Sequence, residues 1–282
     1  SLMHGFRFIS MTVGIALLAV LPACTSLSTT ATAKVSLERE ISYYSRPGTG
    51  PTIIFQSGLG DGKNVWAGVI EQLPHGIPVL AYDRPGYGDS KRTSTARDPC
   101  SIADELHQLT RQIGVNPPFV LVGHSMGGLY QYCYALRYPN EVAGLILIDP
   151  THPDHLKEMK KQAPAQASLL NVLRYSLFTP VMRQEFDDQA ASNDDLHKSE
   201  SLAKPIRFLF SGKFRPEERG AFETMVRQLR RQWLNVSIDS EISEIKDSGH
   251  YVQKEAPDMV VTAINQILTK TAGKSVEGFR AE

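Results

Sequence analysis

Gly123-His124-Ser125-Met126-Gly127-Gly128 lies between two runs of different character. Before it, Phe119-Val120-Leu121-Val122 is short, apolar and rich in β-branched residues, and it follows Pro117-Pro118, which predicts a buried strand. After it, Leu129, Tyr132, Cys133 and Leu136 recur at helical spacing until Pro139 closes the segment. A strand, a G-x-S-x-G turn and a helix in that order are the context in which a serine is presented at the tip of a sharp bend. Glycines at 123 and 127 are expected to let the backbone turn and pack closely. The competing reading is a glycine-rich turn with an idle serine, and the rest of the chain has to decide between them.

Working outward, the chain reads as alternating strands and helices. Strands are expected at Ile41 to Tyr44, Thr52 to Phe55, Val79 to Tyr82, Leu145 to Ile148, Ile206 to Phe210 and near Ile242 to Ile245. Helices are expected over Asn64 to Leu73, from a Ser101-x-x-Asp104 cap to Ile113 with Gly114 as the stop, from about Glu217 to Trp233, and over Pro257 to Leu268. That alternation predicts an α/β domain whose mainly parallel sheet is covered on both faces. It is interrupted at 151–203, a polar and helical stretch that reads as a cap folded over the sheet rather than another crossover. The expected division is therefore 34–150 with 204–273 as the core, 151–203 as the cap, and 274–282 as a frayed tail.

Residues 1–33 read as an address. Ile9 to Ala23 is an apolar stretch of signal-peptide length, shorter than the roughly 20 residues of a membrane-spanning helix. Leu21-Pro22-Ala23-Cys24 resembles a bacterial lipobox, which makes Cys24 the expected lipidated residue and a membrane anchor, although proline within it is atypical. Ordinary cleavage after Ala31-Thr32-Ala33 is the alternative. On either reading Thr25 to Ala33 is a tether or a discarded leader and the protein is exported.

Composition narrows the function classes. The 282 residues are 41% hydrophobic and 21% charged, ample for a sizeable core. Lysine plus arginine and aspartate plus glutamate both number 30, so no net field favours nucleic acid. Three cysteines, at 24, 100 and 133, form neither a metal pattern nor a disulfide framework. Ser57 to Gly62 lacks the Walker pattern, so phosphate cradling and a nucleotide cofactor are not expected. His152-x-x-His155 beside Asp154 invites a metal reading, but both histidines are more simply solvent-facing.

With these motifs in hand the chain resembles the α/β-hydrolase fold superfamily. Four matches in order carry the resemblance: Ser57-Gly58-Leu59-Gly60, Asp83-Arg84-Pro85-Gly86-Tyr87-Gly88, Gly123 to Gly127, and Ser248-Gly249-His250 before the last helix. It implies an eight-stranded, mostly parallel sheet with a helical cap after the sixth strand. Serine at 125 separates the chain from the dehalogenase and epoxide hydrolase branches, which use aspartate at that place.

A serine hydroxyl is a poor nucleophile until a base removes its proton. Of eight histidines, His250 lies in the glycine-containing loop before the last helix, where this fold delivers its base, whereas His124 is expected to point away from Ser125. The acid is the open position. Many relatives place it after the seventh strand, yet Ser211 to Phe214 holds no carboxylate, and Glu217 and Glu218 come only later. Asp149, ending the sixth strand, is preferred, with Glu217 or Glu218 as the alternative. The Met126 amide, and by resemblance that of Leu59, would form the oxyanion hole. The leading expectation is a cofactor-free serine hydrolase acting on an ester or related acyl bond of a small, fairly apolar molecule. Acyl transfer, lyase or carbon–carbon hydrolysis on the same fold, and a binding protein with a decayed site, are the alternatives.

Overall fold

The computed structural model describes residues 26–36 and 38–272. Eight strands form one sheet: β1 (Ala31–Ser36), β2 (Arg39–Arg46), β3 (Thr52–Gln56), β4 (Val79–Tyr82), β5 (Phe119–His124), β6 (Val142–Ile148), β7 (Leu202–Ser211) and β8 (Ser237–Ile245). Their order across the sheet is β1-β2-β4-β3-β5-β6-β7-β8. β2 runs antiparallel to both of its neighbours, and every other pairing is parallel. β3 to β6 are buried at every position, as strands covered on both faces must be.

Period-two alternation divides those strands between two cores. Ile54, Leu80, Leu121, Leu145 and Phe208 face helices α2 (Pro99–Ile113) and α3 (Met126–Arg137). Ile53, Phe55, Val122, Ile146 and Leu209 face α1 (Ala67–Gln72) and the C-terminal helix at Pro257–Thr271. Each large aliphatic side chain so buried contributes about 1.5–3 kcal/mol. Between β6 and β7 stand four helices, α4 (His155–Gln162), α5 (Pro164–Leu177), α6 (Pro180–Asp188) and α7 (Asn193–His197). Met159, Leu170, Val181, Met182 and Phe186 of this insertion make a third core with Met126, Tyr130 and residues of α8 (Ala221–Trp233). The short α9 (Val252–Glu255) and α10, the helix at Pro257–Thr271, complete the chain.

Several boundaries differ from the expectation. The tether was expected to run to Ala33, but Ala31–Ser36 is a strand, with Ala31 opposite Tyr43 and Ala33 opposite Ile41. Upstream of it the Leu27 amide donates to Asn64 Oδ1 (2.8 Å) and the Thr30 amide to Tyr43 O (2.8 Å), so the folded body begins before residue 34. Helix α2 is capped by Asp98, whose carboxylate accepts from the Ser101 amide, rather than by Ser101. Pro99 explains this: proline favours the first helical turn and holds the residue before it extended. Glu217 and Glu218 lie in a separate 3₁₀ turn, Pro216–Glu218, because Gly220 (φ 90°) interrupts the chain before α8 starts at Ala221. Among the described residues no helix is long and apolar enough to cross a membrane. The apolar stretch expected to be a leader, Cys24 and the tail at 274–282 lie outside the described residues.

Candidate active site

The path from β3 to β4 runs to one side of the sheet, and β5 then returns to pair on the other side of β3. Such a switch point opens a crevice at the carboxyl ends of the strands. Gln56, Gly123 and Leu147 are in register on β3, β5 and β6, and so are His124 and Ile148 on the last two. The residues that follow, Ser57-Gly58-Leu59, Ser125 and Asp149, are thereby brought to one edge. His250 arrives from the loop after β8.

Ser125 has φ 55° and ψ −123°, a strained conformation for a residue with a side chain. The glycines beside it serve close approach rather than the turn. A Cβ on Gly127 would lie 2.3 Å from Gln56 O, and one on Gly123 would lie 2.4 Å from Gly127 O. Neither glycine has a positive φ; Ser125 itself makes the bend. Its carbonyl is held by the Gly128 and Thr151 amides.

Asp149 is the second strained residue (φ 44°). Its Oδ2 accepts from His250 Nδ1 at 2.9 Å, and its Oδ1 accepts from the Ser211 amide (3.0 Å) and Arg230 Nη2 (3.1 Å). Burial alone would raise its pKa, but the hydrogen bond and charge of His250, the Arg230 guanidinium and the Ser211 amide together hold it well below the usual carboxylate range. An ionised carboxylate only accepts, so Nδ1 of His250 carries the hydrogen and Nε2 is left as the basic nitrogen. No hydrogen bond between Ser125 and His250 appears among the described residues. Glu217 and Glu218 do not reach Nδ1. Glu218 does face the cavity, where burial raises its pKa to about 7.

His124 points away from Ser125 and donates from Nε2 to the His250 carbonyl (2.8 Å). Burial, with the His250 charge nearby, lowers its pKa to about 3, so it stays neutral and serves as a prop for the His250 loop. The Gly58 backbone lies over Ser125, where an added Cβ would sit 3.2 Å from Ser125 Cβ. Among the described residues neither the Leu59 nor the Met126 amide donates to a protein acceptor.

Ser125, Asp149 and His250 line one cavity of about 300 Å³, whose apolar wall includes Phe210, Phe222 and Leu229. His152 and His155 line it too, which corrects their expected solvent-facing placement. His152 packs edge-on against Trp233 and His155 against Phe222, and burial lowers both pKa values to about 4. His155 Nε2 is buried without a partner among the described residues. Arg230 escaped the sequence reading: it lies 81 positions from Asp149, on a helix with other arginines, and no motif marks it. Arg84 stood within a quoted motif, but only the fold shows what it holds.

The model of the alpha/beta hydrolase fold matches residues 51–237, and the chain belongs to that family. It is 24% identical over 225 residues to uncharacterized protein YqjL of Bacillus subtilis (strain 168), covering 78% of this chain and 84% of that one. To human monoacylglycerol lipase ABHD6 it is 35% identical over 113 residues, 39% of this chain and 33% of that protein. To mouse (lyso)-N-acylphosphatidylethanolamine lipase it is 25% identical, over 82% of this chain and 69% of the other. Among solved structures, a membrane phospholipase A superposes with a TM-score of 0.65 at 20% identity, covering 88% of each chain. A thermophilic esterase from Thermogutta terrifontis does so with 0.59 at 21% identity, covering 87% of this chain and 98% of the other.

Proposed function

We propose that this protein is a serine hydrolase cleaving an ester or related acyl bond of a small, fairly apolar substrate. The observation that carries the reading is the bond from His250 Nδ1 to the ionised Asp149, in a cavity that also holds the strained Ser125. His250 Nε2 takes the proton of Ser125 as its oxygen attacks the acyl carbon. Asp149 holds the imidazole tautomer and stabilises the imidazolium that forms. The developing oxyanion is met by the amides of Leu59 and Met126. Protonation of the leaving alcohol by His250 gives an acyl-enzyme; His250 then takes a proton from the water that attacks the acyl carbon and returns it to the Ser125 oxygen as the acid leaves. The helices of the insertion act as a cap, and the aromatic wall takes the apolar part of the substrate. Relatives named as lipases support an ester bond as the target.

The test is kinetic. Ser125→Ala, His250→Ala and the double variant are expected to show similar residual turnover of nitrophenyl esters, because removal of either group disables one shared step. A fluorophosphonate is expected to label the wild type once and Ser125→Ala not at all. Losses that multiply in the double variant, or labelling that survives Ser125→Ala, would overturn the assignment.

We also propose that the protein is exported and anchored through a lipid on Cys24. The support is that maturation at Cys24 leaves β1 whole, whereas cleavage after Ala33 divides it.

A further inference from the structure

One carboxylate of the insertion holds the loop that carries the Leu59 amide. Arg84, 1% exposed, donates from Nη1 to the Ser57 carbonyl and from Nη2 to the Gly58 carbonyl (3.1 Å). A trans peptide unit points its C=O and N–H in opposite directions. A guanidinium that fixes the Gly58 carbonyl therefore also fixes the Leu59 N–H, which is turned away from Arg84. Arg84 is held in turn by Glu185 of α6, fully buried, whose two oxygens accept from Nε (2.7 Å) and Nη2 (2.9 Å). Tyr87 completes the set: its hydroxyl donates to Glu185 Oε1 (2.6 Å) and accepts from the Gly60 amide (3.2 Å). Both arms of the loop, at Gly58 and at Gly60, thus converge on Glu185. Helix α6 is seated against the same region by Met182, 3.2 Å from a Cβ built on Gly60, and by Val181, 2.8 Å from one built on Gly86.

We propose that Glu185 is a positioning residue for the oxyanion hole: acting through Arg84 and Tyr87, it aims the Leu59 amide and makes that hole complete only when α6 of the insertion is docked. The proposal rests on the serine-hydrolase reading above. A donor helps the transition state only when it is aimed at the developing charge, and loss of one such donor costs about 10²–10³-fold in kcat. Substrate binding does not depend on it to the same degree.

The test compares two buried ion pairs. In Glu185→Gln the amide NH₂ confronts the guanidinium, and in Arg84→Lys the fork that spans two carbonyls is lost. Glu105→Gln is the control. Its Arg97 partner and Glu105 are equally buried (0% and 1% exposed), and Glu105 bonds no atom of residues 57–60. Each variant is assayed on nitrophenyl acetate, with kcat expressed per Ser125 titrated to completion by a fluorophosphonate, and with its melting temperature recorded. Glu185→Gln and Arg84→Lys are expected to lose about 10–100-fold in kcat with little change in KM, and to react with the fluorophosphonate correspondingly more slowly. Glu105→Gln is expected to lose melting temperature while keeping kcat per site. Equal kcat per site in Glu185→Gln and Glu105→Gln overturns the proposal. If Glu185→Gln does not fold, Arg84→Lys and Tyr87→Phe decide by the same comparison. Wild-type turnover that survives Ser125→Ala would instead refute the hydrolase reading, whatever Glu185 does.

Discussion

At Ser125 and Asp149 the backbone takes conformations that side chains ordinarily avoid, at a cost of order 1–3 kcal/mol each. The strain is local and the return is positional: one residue is brought to the wall of the cavity, and the other turns its carboxylate back toward His250, Arg230 and the Ser211 amide. Asp149→Asn is expected to stay folded and lose several orders of magnitude in turnover, about 10⁴-fold being the loss known for such a change in a triad protease. Its stability deficit should also be pH-dependent. The folded pKa of Asp149 lies below the ordinary 3.8, so its contribution is present above that value and is lost as pH falls beneath it. The melting curves of wild type and Asp149→Asn should therefore approach one another in acid. Glu218 carries the opposite sign. Its pKa is raised from 4.5 to about 7 by burial, so its ionisation weakens the fold as pH rises through that interval. Glu218→Gln should melt above the wild type at pH 8, without that advantage at pH 4, and both it and Glu217→Gln should keep their turnover. An inactive Glu218→Gln beside an active Asp149→Asn would move the acid to the 3₁₀ turn.

Helix α2 illustrates how one residue can serve an element and the insertion together. Asp98 Oδ2 accepts from the Ser101 amide (3.2 Å) and from Ser192 Oγ (2.8 Å), so it caps α2 and ties it to the turn before α7. Asp98→Ala should cost about 1 kcal/mol, within the usual cap range of roughly 0.5–2. In a domain of this size that corresponds to a melting point about 2–4 °C lower. Asp98→Asn should recover much of it, since an amide oxygen also caps well. Calorimetry of the two variants checks this, and an unchanged melting point in Asp98→Ala would show that the cap contributes nothing.

For the molecule as a whole, the edge formed by β1 and β2 bears on where the chain is processed. A mature protein starting at Lys34 would lose the Leu27 and Thr30 contacts and half of β1, leaving β2 a partly bare edge. Expressed with its leader in a bacterium, the protein is expected in the membrane fraction, with an intact mass showing a lipidated start at Cys24. Cys24→Ser should remove the lipid. A mature start at Lys34 would replace this with simple secretion, and a cytoplasmic protein retaining Met3 would overturn both.

The order of elements was legible because it depends on local patterns: β-branched runs for strands, helical spacing after Ser125, and glycines where chain segments nearly touch. The choice of Ser125, His250 and Asp149 rested on strand ends and a glycine-containing loop that the sequence marks, read together with the resemblance to the α/β-hydrolase fold. Where neighbouring signals competed, the boundaries shifted. Pro99 moved the cap of α2 to Asp98, and Gly220 cut the 3₁₀ turn at Glu217 and Glu218 away from α8. Thr25 to Ala33 read as a tether or leader because an edge strand needs no apolar run, and the pairing of Ala31 to Ala33 with β2 is a tertiary fact. What Arg230, Arg84 and Glu185 hold was invisible for a deeper reason. A buried charge is tolerated only where partners from other parts of the chain neutralise it. Glu185 meets Arg84 across 101 positions and Arg230 meets Asp149 across 81, distances over which no local pattern in the sequence extends.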